Sequence, residues 1–147
     1  MIKIIPAIDI INGHCVRLSQ GDYQRITDYS ESPAAMAENF EALGFKRLHV
    51  VDLDGARSGK VINIKALKEI TSRTNLIVDF GGGIKSEEDL KNVFEAGASA
   101  VSIGSIAVSD PDIVSLWADS FGAEKFIISA DVRDNIVRTN GWTKNSG

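Results

Sequence analysis

Cysteine is nearly absent from this sequence, whose 147 residues contain only Cys15. An internal disulfide is therefore excluded, and the chain is compatible with a reducing cytoplasm. Basic residues are also in deficit, with 16 Lys and Arg against 20 Asp and Glu for a formal net charge of −4. That balance disfavours a nucleic-acid partner. It leaves open an anionic small substrate, because backbone donors can hold a phosphate locally.

Several other signatures are missing. No apolar stretch approaches the roughly 20 residues that span a bilayer, and the first residues lack the apolar region of a signal peptide. Neither GxGxxG after the first strand nor GxxxxGK followed by Ser or Thr occurs, which argues against dinucleotides and nucleoside triphosphates. Metal-ligand spacings are absent too. We expect a cytoplasmic protein with no membrane partner, metal or other cofactor.

Strand-like and helix-like patterns alternate along the whole chain. Hydrophobic residues make up 44% of it, enough for one folded domain. The predicted strands cover residues 3–9, 47–53, 76–80, 100–103 and 125–131. The predicted helices begin at Ser32-Pro33, Asn63, Ser86 and Asp110-Pro111, and end at Gly44, Arg73, Gly97 and Gly122. Continuously apolar strands indicate burial on both faces and hence a parallel α/β sheet.

Two segments far apart in the chain resemble each other. Residues 5–10, Ile-Pro-Ala-Ile-Asp-Ile, return as Ile-Ile-Ser-Ala-Asp-Val at 127–132. Each copy carries an aspartate, Asp9 or Asp131, followed by a polar turn and a second apolar stretch. In this alignment residues 15–17 correspond to 136–138. The duplication predicts two matching half-barrels, with residues 1–122 as the first and 123–147 as the start of the second.

The predicted architecture is an incomplete (β/α)8 barrel of four βα units plus a fifth strand. A complete barrel needs eight units and about 250 residues. Strands one and five would be unpaired edges, covered by a C-terminal fragment or a second copy. The alternative is an open five-stranded sheet of flavodoxin type. Similarity between the first and fifth strands favours the barrel, because an open sheet gives no reason for it.

The connection from residue 10 to residue 31 is unusually long, which is typical of a functional loop. Asn12-Gly13 predicts a small hairpin at its start. We expect Arg17 and residues 19–23 to reach over the pocket as a mobile cover. A solvated loop without function is the simpler alternative.

Ionisable side chains follow or line the predicted strands. Asp9 and Asp131 are predicted to face one mouth of the barrel as a general acid and general base, although aspartates at strand ends also cap loops. His49 has the parity to point towards the same mouth, with a histidine satisfied within the core as the alternative. For Asp52, our interpretation is a carboxylate that anchors the following loop.

Small residues at two neighbouring strand ends predict an anion pocket. A tight turn requires one glycine, so the run Gly81-Gly82-Gly83 favours close approach of a phosphate. The free N–H groups of the helix beginning at Ser86 would add to it. Gly104-Ser105 is expected to form the other wall. Trp142 would stack on a planar heterocycle or anchor its own loop to the core.

Taken in order, these residues resemble the histidine-biosynthesis barrel family, and its isomerase branch in particular. The resemblance reaches about the first three-fifths of a family member. One departure is Lys85, where many members have an arginine, because lysine lacks the bidentate fork. The motifs that carry the resemblance are residues 5–9, 16–23, 48–56, 81–84, 104–105, 130–132, 141–142 and 145–147.

The resemblance implies an aldose–ketose isomerase that performs an Amadori rearrangement of phosphoribosylformimino-aminoimidazole carboxamide ribotide in histidine biosynthesis. It implies Asp9 as proton acceptor and Asp131 as proton donor. One of two substrate phosphates would be held by Gly83, Gly104 and Ser105. Arg17, His49 and Trp142 are the remaining candidates for substrate binding. We expect the second phosphate site to lie beyond residue 147, and hence the chain alone to be inactive.

Three alternatives stay open. The sister cyclase closes the imidazole ring with ammonia from a glutaminase partner, but it usually has cysteine in place of Ala7 and lysine in place of Arg17. A dual-specificity isomerase would also process phosphoribosylanthranilate. An inactive half-barrel would bind phosphate without catalysis.

Overall fold

A computed structural model describes residues 2–29, 31–133, 136–139 and 144–145. Within these ranges the helices and strands alternate much as the sequence predicts. The strands are β1 (Ala7–Ile11), β2 (His14–Ser19), β3 (Asp22–Asp28), β4 (Arg47–Asp52), β5 (Ile77–Gly81), β6 (Ala100–Ile103), β7 (Phe126–Ile128), β8 (Asp131–Arg133), β9 (Ile136–Thr139) and β10 (Lys144–Asn145). The helices are α1 (Pro33–Ala42), α2 (Leu53–Ser58), α3 (Ile64–Arg73), α4 (Glu87–Glu95), α5 (Ser105–Ser109) and α6 (Pro111–Phe121), followed by a 3-10 turn at Ala123–Lys125.

Seven strands form one sheet in the order β3-β2-β1-β4-β5-β6-β7. The last five strands in this order, β1-β4-β5-β6-β7, are parallel neighbours. Helices connect each of these strands to the next. The parallel strands follow chain order without reversal, whereas a doubly wound sheet reverses its order at a switch point. The fold is therefore part of a (β/α)8 barrel, with four βα units and a fifth parallel strand, and the flavodoxin alternative is wrong.

The segment between β1 and α1 differs from the prediction of a loop. The hairpin at Asn12-Gly13 is confirmed, with φ values of 51° and 78° at its two central residues. Beyond it, however, β2 and β3 continue as antiparallel strands of the main sheet. They cover the side of β1 that was expected to be an unpaired edge. The sequence did not reveal this pairing, because the turn between β2 and β3 at Gln20-Gly21, with φ values of 56° and 72°, lacks the Asn-Gly or Asp-Gly signal of a hairpin.

The first and fifth predicted strands have different bounds from those expected. Residues 3–6 precede β1, and Pro6, which has no N–H to donate, contributes its carbonyl oxygen to the backbone N–H of His49 at 2.9 Å. The fifth strand divides in two. The Ser129 N–H makes the last bond to β6, at Ile103, and β6 ends there. Asp131 then begins β8, in a separate sheet of order β10-β9-β8.

The hairpins that follow the two repeated segments share one register. Asp9 pairs with Val16, and Asp131 pairs with Arg138, so each aspartate faces the residue seven positions on. The second apolar stretches, residues 15–17 and 136–138, are therefore offset by one residue in this register. In the observed register Arg17 corresponds to Thr139.

Side-chain alternation gives the sheet two different faces. The face towards the helices is apolar, and its core includes Ile8, Ile10, Leu48, Val50, Val78, Phe80 and Val101, all at most 3% exposed. Ser32 and Asp110 cap α1 and α6 as predicted. Across the described ranges, no helix is both long and apolar enough to cross a bilayer.

Candidate active site

The inner face of the sheet, opposite the helices, carries ionisable side chains on three adjacent strands. Asp9 lies on β1, His49 on β4 and Asp79 on β5. The ladder pairs His49 directly with Asp79, and the Nδ1 atom of His49 contacts the Asp79 carboxylate. Asp79 is 4% exposed, so the imidazole is fixed by a buried anion.

Sequence reasoning missed Asp79. Its strand is otherwise apolar, and the run Val78-Asp79-Phe80 offered a signal: one charged residue between two that are fully buried. Parity places Asp79 on the same face as the glycine at the end of the strand. Only the cross-strand register shows that its partner is His49.

A cavity of about 170 Å³ opens on this face. It is where the structure brings together most of the predicted site residues. Of these, His49, Gly83, Gly104, Ser105 and Asp131 line it. Asp9 and Arg17 line a second cavity with part of β1 and α1. Trp142 lies outside the described residues.

His49, which lines the first cavity, is electrostatically coupled to Asp9, which lines the second. The hydrogen bond to Asp79 is the main cause that raises the pKa of His49 above its ordinary value, against the effect of burial, and the charges of Asp9 and Asp131 raise it further. Burial raises the pKa of Asp9, while the charges of His49 and Arg17 oppose that rise. Geometry agrees with this coupling: Ala7 pairs with His49 and Asp9 with Val51 on adjacent strands, and Asp131 lines the same cavity as His49. Shifted groups gathered in this way are typical of acid/base sites.

The glycine run is needed for packing, which corrects the argument that three glycines exceed a structural requirement. A Cβ atom on Gly82 would lie 2.1 Å from the backbone oxygen of Asp52, and one on Gly83 would lie 2.5 Å from that of Lys60. On Gly81 it would come within 2.9 Å of the Ser102 oxygen. Their number alone is thus no evidence for phosphate, although the open side of the run still lines the cavity.

The two helix starts near the cavity differ. At α4 the predicted capping box is confirmed, and the Asp89 carboxylate accepts bonds from the backbone N–H groups of Lys85 and Ser86 at 3.1 and 3.0 Å. The carboxylate thus takes up the two backbone N–H groups just before α4, and the Ser86 hydroxyl accepts the N–H of Asp89 in the first turn, so fewer donors are free at this start than expected. At α5 the first residue follows Gly104, no side chain caps the helix, and its first turn has no acidic residue.

Asp52 anchors the loop after β4, as interpreted from the sequence. Its fully buried carboxylate accepts hydrogen bonds from the backbone N–H groups of Gly55, Ile62 and Asn63 and from the Asn63 side chain. Asn63 also donates to Asp54. Its Oδ1 atom, the one that could cap α3, instead accepts a hydrogen bond from the backbone N–H of Gly13 at 2.9 Å, and α3 begins without a side-chain cap.

Two serines that the sequence did not single out also line the cavity. The hydroxyl groups of Ser102 and Ser129 are hydrogen-bonded to each other. Ser102 lies on the inner face of β6 and Ser129 follows β7, so they extend the polar inner face towards Asp131. Their small size gave no periodic signal.

The predicted cover is partly strand. Arg17 lies in β2, paired with Thr27 of β3. The Tyr23 hydroxyl donates to the Leu53 carbonyl oxygen at 3.2 Å, and the guanidinium of Arg57 lies 5.4 Å from the Tyr23 ring centre. Burial, the leading cause, raises the pKa of Tyr23 to about 12. The expectation of a mobile cover over residues 19–23 is therefore wrong for Tyr23, which is attached to α2.

The fold and this site define an α/β protein of the (β/α)8-barrel class with an ionisable cluster on the inner face. A family model described as histidine biosynthesis protein matches residues 3–147, and the chain belongs to that family.

Similar proteins carry the name of one isomerase, that of 1-(5-phosphoribosyl)-5-((5-phosphoribosylamino)methylideneamino)imidazole-4-carboxamide. The Bacteroides thetaiotaomicron protein is 56% identical over 99% of this chain and 61% of its own length. The Phocaeicola vulgatus protein is 53% identical over the same shares. That of Flavobacterium johnsoniae is 49% identical over 98% of this chain and 60% of its own. The chain thus spans about three-fifths of the length of these relatives.

Proposed function

We propose that this chain belongs to an isomerase that converts the aminoaldose phosphoribosylformimino-aminoimidazole carboxamide ribotide to its ketose. The observation that carries the proposal is the placement of His49, which lies on the strand beside that of Asp9 and lines the same cavity as Asp131. The names of the relatives support the same reaction.

The rearrangement needs one proton donor and one proton acceptor. A donor protonates the ribose ring oxygen as the ring opens to a Schiff base. An acceptor removes the proton from C2′ to give an enaminol, which becomes the ketone. We assign acceptance to Asp9 and donation to Asp131. Burial of Asp9 supports its role, because a carboxylate with a raised pKa is a stronger base than an exposed one.

Substrate binding is assigned to the residues around the same cavity. Gly83, Gly104 and Ser105 would hold one phosphate, and the uncapped first turn of α5 supports this better than the occupied start of α4. Arg17 and Trp142 would contact the remainder of the substrate, with Trp142 stacking on the aminoimidazole. The chemistry of these side chains calls for no cofactor.

We propose residues 1–122 as a half-barrel and residues 123–147 as the beginning of a second. The β7 side of the sheet, where Ile127 and Ile128 are 38% and 57% exposed, would receive a C-terminal fragment or a second copy. The buried thiol of Cys15 supports the cytoplasm as the compartment.

Ala7 and Arg17 favour the isomerase over the sister cyclase, as argued from the sequence. A direct test incubates the chain with the aminoaldose substrate, alone and mixed with the part of the Bacteroides thetaiotaomicron relative that this chain does not match. We expect ketose from the mixture and none from the chain alone. Parallel incubations contain the ketose with ammonia, or phosphoribosylanthranilate.

Each outcome identifies one hypothesis. Ammonia-dependent ring closure would indicate the cyclase, and turnover of phosphoribosylanthranilate would indicate dual specificity. If a folded mixture binds phosphate but forms no product, the half-barrel without activity is the better description. Ketose formation by the chain alone would contradict the expectation that further chain is needed.

A further inference from the structure

The strongest unexplained feature is the buried carboxylate of Asp79. Neither proton step of the proposed reaction uses it, and it does not line the cavity. A charged group 4% exposed is costly unless it is paired. Its partner is His49, whose side chain is 33% exposed and does line the cavity. Asp79 is therefore placed to act on the site only through another residue.

The contact fixes both the orientation and the tautomer of the imidazole. Because a carboxylate only accepts hydrogen bonds, Nδ1 of His49 must carry the proton shared with Asp79. The other ring nitrogen, Nε2, is then the one left for the cavity. A histidine held in this way by a carboxylate keeps one tautomer and favours its protonated form.

We propose that Asp79 is a positioning residue, which holds His49 as a cationic neighbour of Asp9 and thereby keeps the Asp9 carboxylate ionised. This inference rests on the proposed function, because in that reaction an ionised Asp9 accepts the C2′ proton. The coupling itself involves only residues of this chain: Ala7 pairs with His49 and Asp9 with Val51, so Asp9 and His49 are diagonal neighbours on one face of β1 and β4.

The charges around the coupled groups come from five strands. Asp79 on β5, Asp9 on β1 and Asp131 at the start of β8 act on His49, and each raises its pKa. His49 on β4 and Arg17 on β2 act on Asp9, and both lower its pKa. Replacing Asp79 by asparagine removes the main cause of the His49 shift. His49 should then lose its proton at lower pH, and Asp9 should gain one at higher pH.

Nitrogen-15 and carbon-13 NMR of the 147-residue chain tests this without any activity. The chain has two histidines, so the exposed His14 serves as an internal reference. In the unmodified chain, neutral His49 should be the tautomer protonated at Nδ1. In Asp79→Asn the His49 titration should move to lower pH and the Asp9 titration to higher pH, while the His14 curve stays in place.

Asp119→Asn, which removes an exposed carboxylate from α6, is the matched control and should move neither curve. The inference is overturned if neutral His49 carries its proton on Nε2, or if the Asp9 titration is the same in Asp79→Asn as in the unmodified chain. The tautomer measurement needs no substitution, so it decides even if Asp79→Asn does not fold.

A kinetic measurement separates this inference from the proposed function. In a preparation that converts the substrate, Asp79→Asn should move the acid limb of the kcat/KM profile to higher pH. A uniform loss at every pH would indicate a merely structural role and contradict the inference. Absence of turnover in the folded mixture of the unmodified chain with the complementary part of the relative would count against the isomerase and leave the NMR result intact.

Discussion

The two faces of the parallel sheet are made by alternate residues of the same strands, yet they differ in chemistry. Towards the helices, Leu48, Val78 and Phe80 are completely buried. On the opposite face, His49 and Asp79 form an ion pair beside an open cavity. The first face gains stability from apolar burial, whereas the second keeps ionisable groups at a cost in desolvation. Adjacent residues of one strand therefore serve different purposes: one packs in the core and stabilises the fold, and the next carries an ionisable group of the site.

The largest expected effect is on the helix-facing side. Phe80→Ala should lower the free energy of unfolding by about 3–5 kcal/mol, as is usual for loss of a buried aromatic ring, measured by urea denaturation. The matched change is Ile77→Ala on the same strand, where the side chain is 50% exposed. That change should cost much less. Equal losses would contradict the assignment of the core to one face.

The glycine turn at the end of β5 provides the next comparison. Gly82→Ala combines left-handed strain of about 1–2 kcal/mol with a clash against the Asp52 backbone, which adds about 1–3 kcal/mol. Gly44→Ala is the control, because Gly44 has φ 91° and open space around its Cβ position. It should show the strain alone. Similar unfolding midpoints for the two variants would argue against close packing of the turn.

Asp9→Asn should raise stability at neutral pH, because it removes a charge whose burial is unfavourable. The sign follows from its raised pKa: the folded state holds the proton more tightly, so stability falls as pH rises from the ordinary aspartate pKa of 3.8. The gain should vanish below that pH, where both states are protonated. Thermal unfolding at pH 3 and pH 7, with Asp119→Asn as reference, measures it. A gain of equal size at pH 3 would contradict this explanation.

The smallest effect is expected from His49. Its raised pKa means that its contribution to stability is complete below 6.5 and is lost as pH rises through the folded-state value. Solvent screening keeps this contribution modest, since the side chain is one-third exposed. His49→Gln should therefore flatten the stability profile above pH 6.5. An unchanged slope would indicate that the ion pair with Asp79 adds nothing to stability.

Local signals predicted most of the fold. The caps at Ser32, Ser86 and Asp110 and the hairpin at Asn12-Gly13 depend on neighbours within four residues, and all are confirmed. The β2–β3 hairpin was missed because Gln20-Gly21 is not a usual turn pair, whereas the contact between His49 and Asp79 depends on register between distant segments. Periodicity cannot supply that register, and so the sequence predicted His49 but missed the residue that orients it.

The glycine run shows a different limit. The position of the run at a cavity wall was predicted, but the reason for three glycines was not. The backbone of Asp52 and Lys60 fills the space beside the run, and it belongs to another part of the chain. The acidic start of α4 was visible in the sequence at Asp89. Its effect on anion binding was overlooked: the Asp89 carboxylate already accepts hydrogen bonds from the backbone N–H groups of Lys85 and Ser86, immediately before the helix.

The most direct measurement compares kcat for substrate isomerisation in Asp9→Asn, Asp131→Asn and the control Asp119→Asn, in a preparation that turns over and with folding checked for each. If the inner face carries the acid/base pair, the first two variants lose at least about a hundredfold in kcat, the lower range for such catalysis, and the control keeps its rate. Near-normal turnover in either variant would contradict the role assigned to that aspartate.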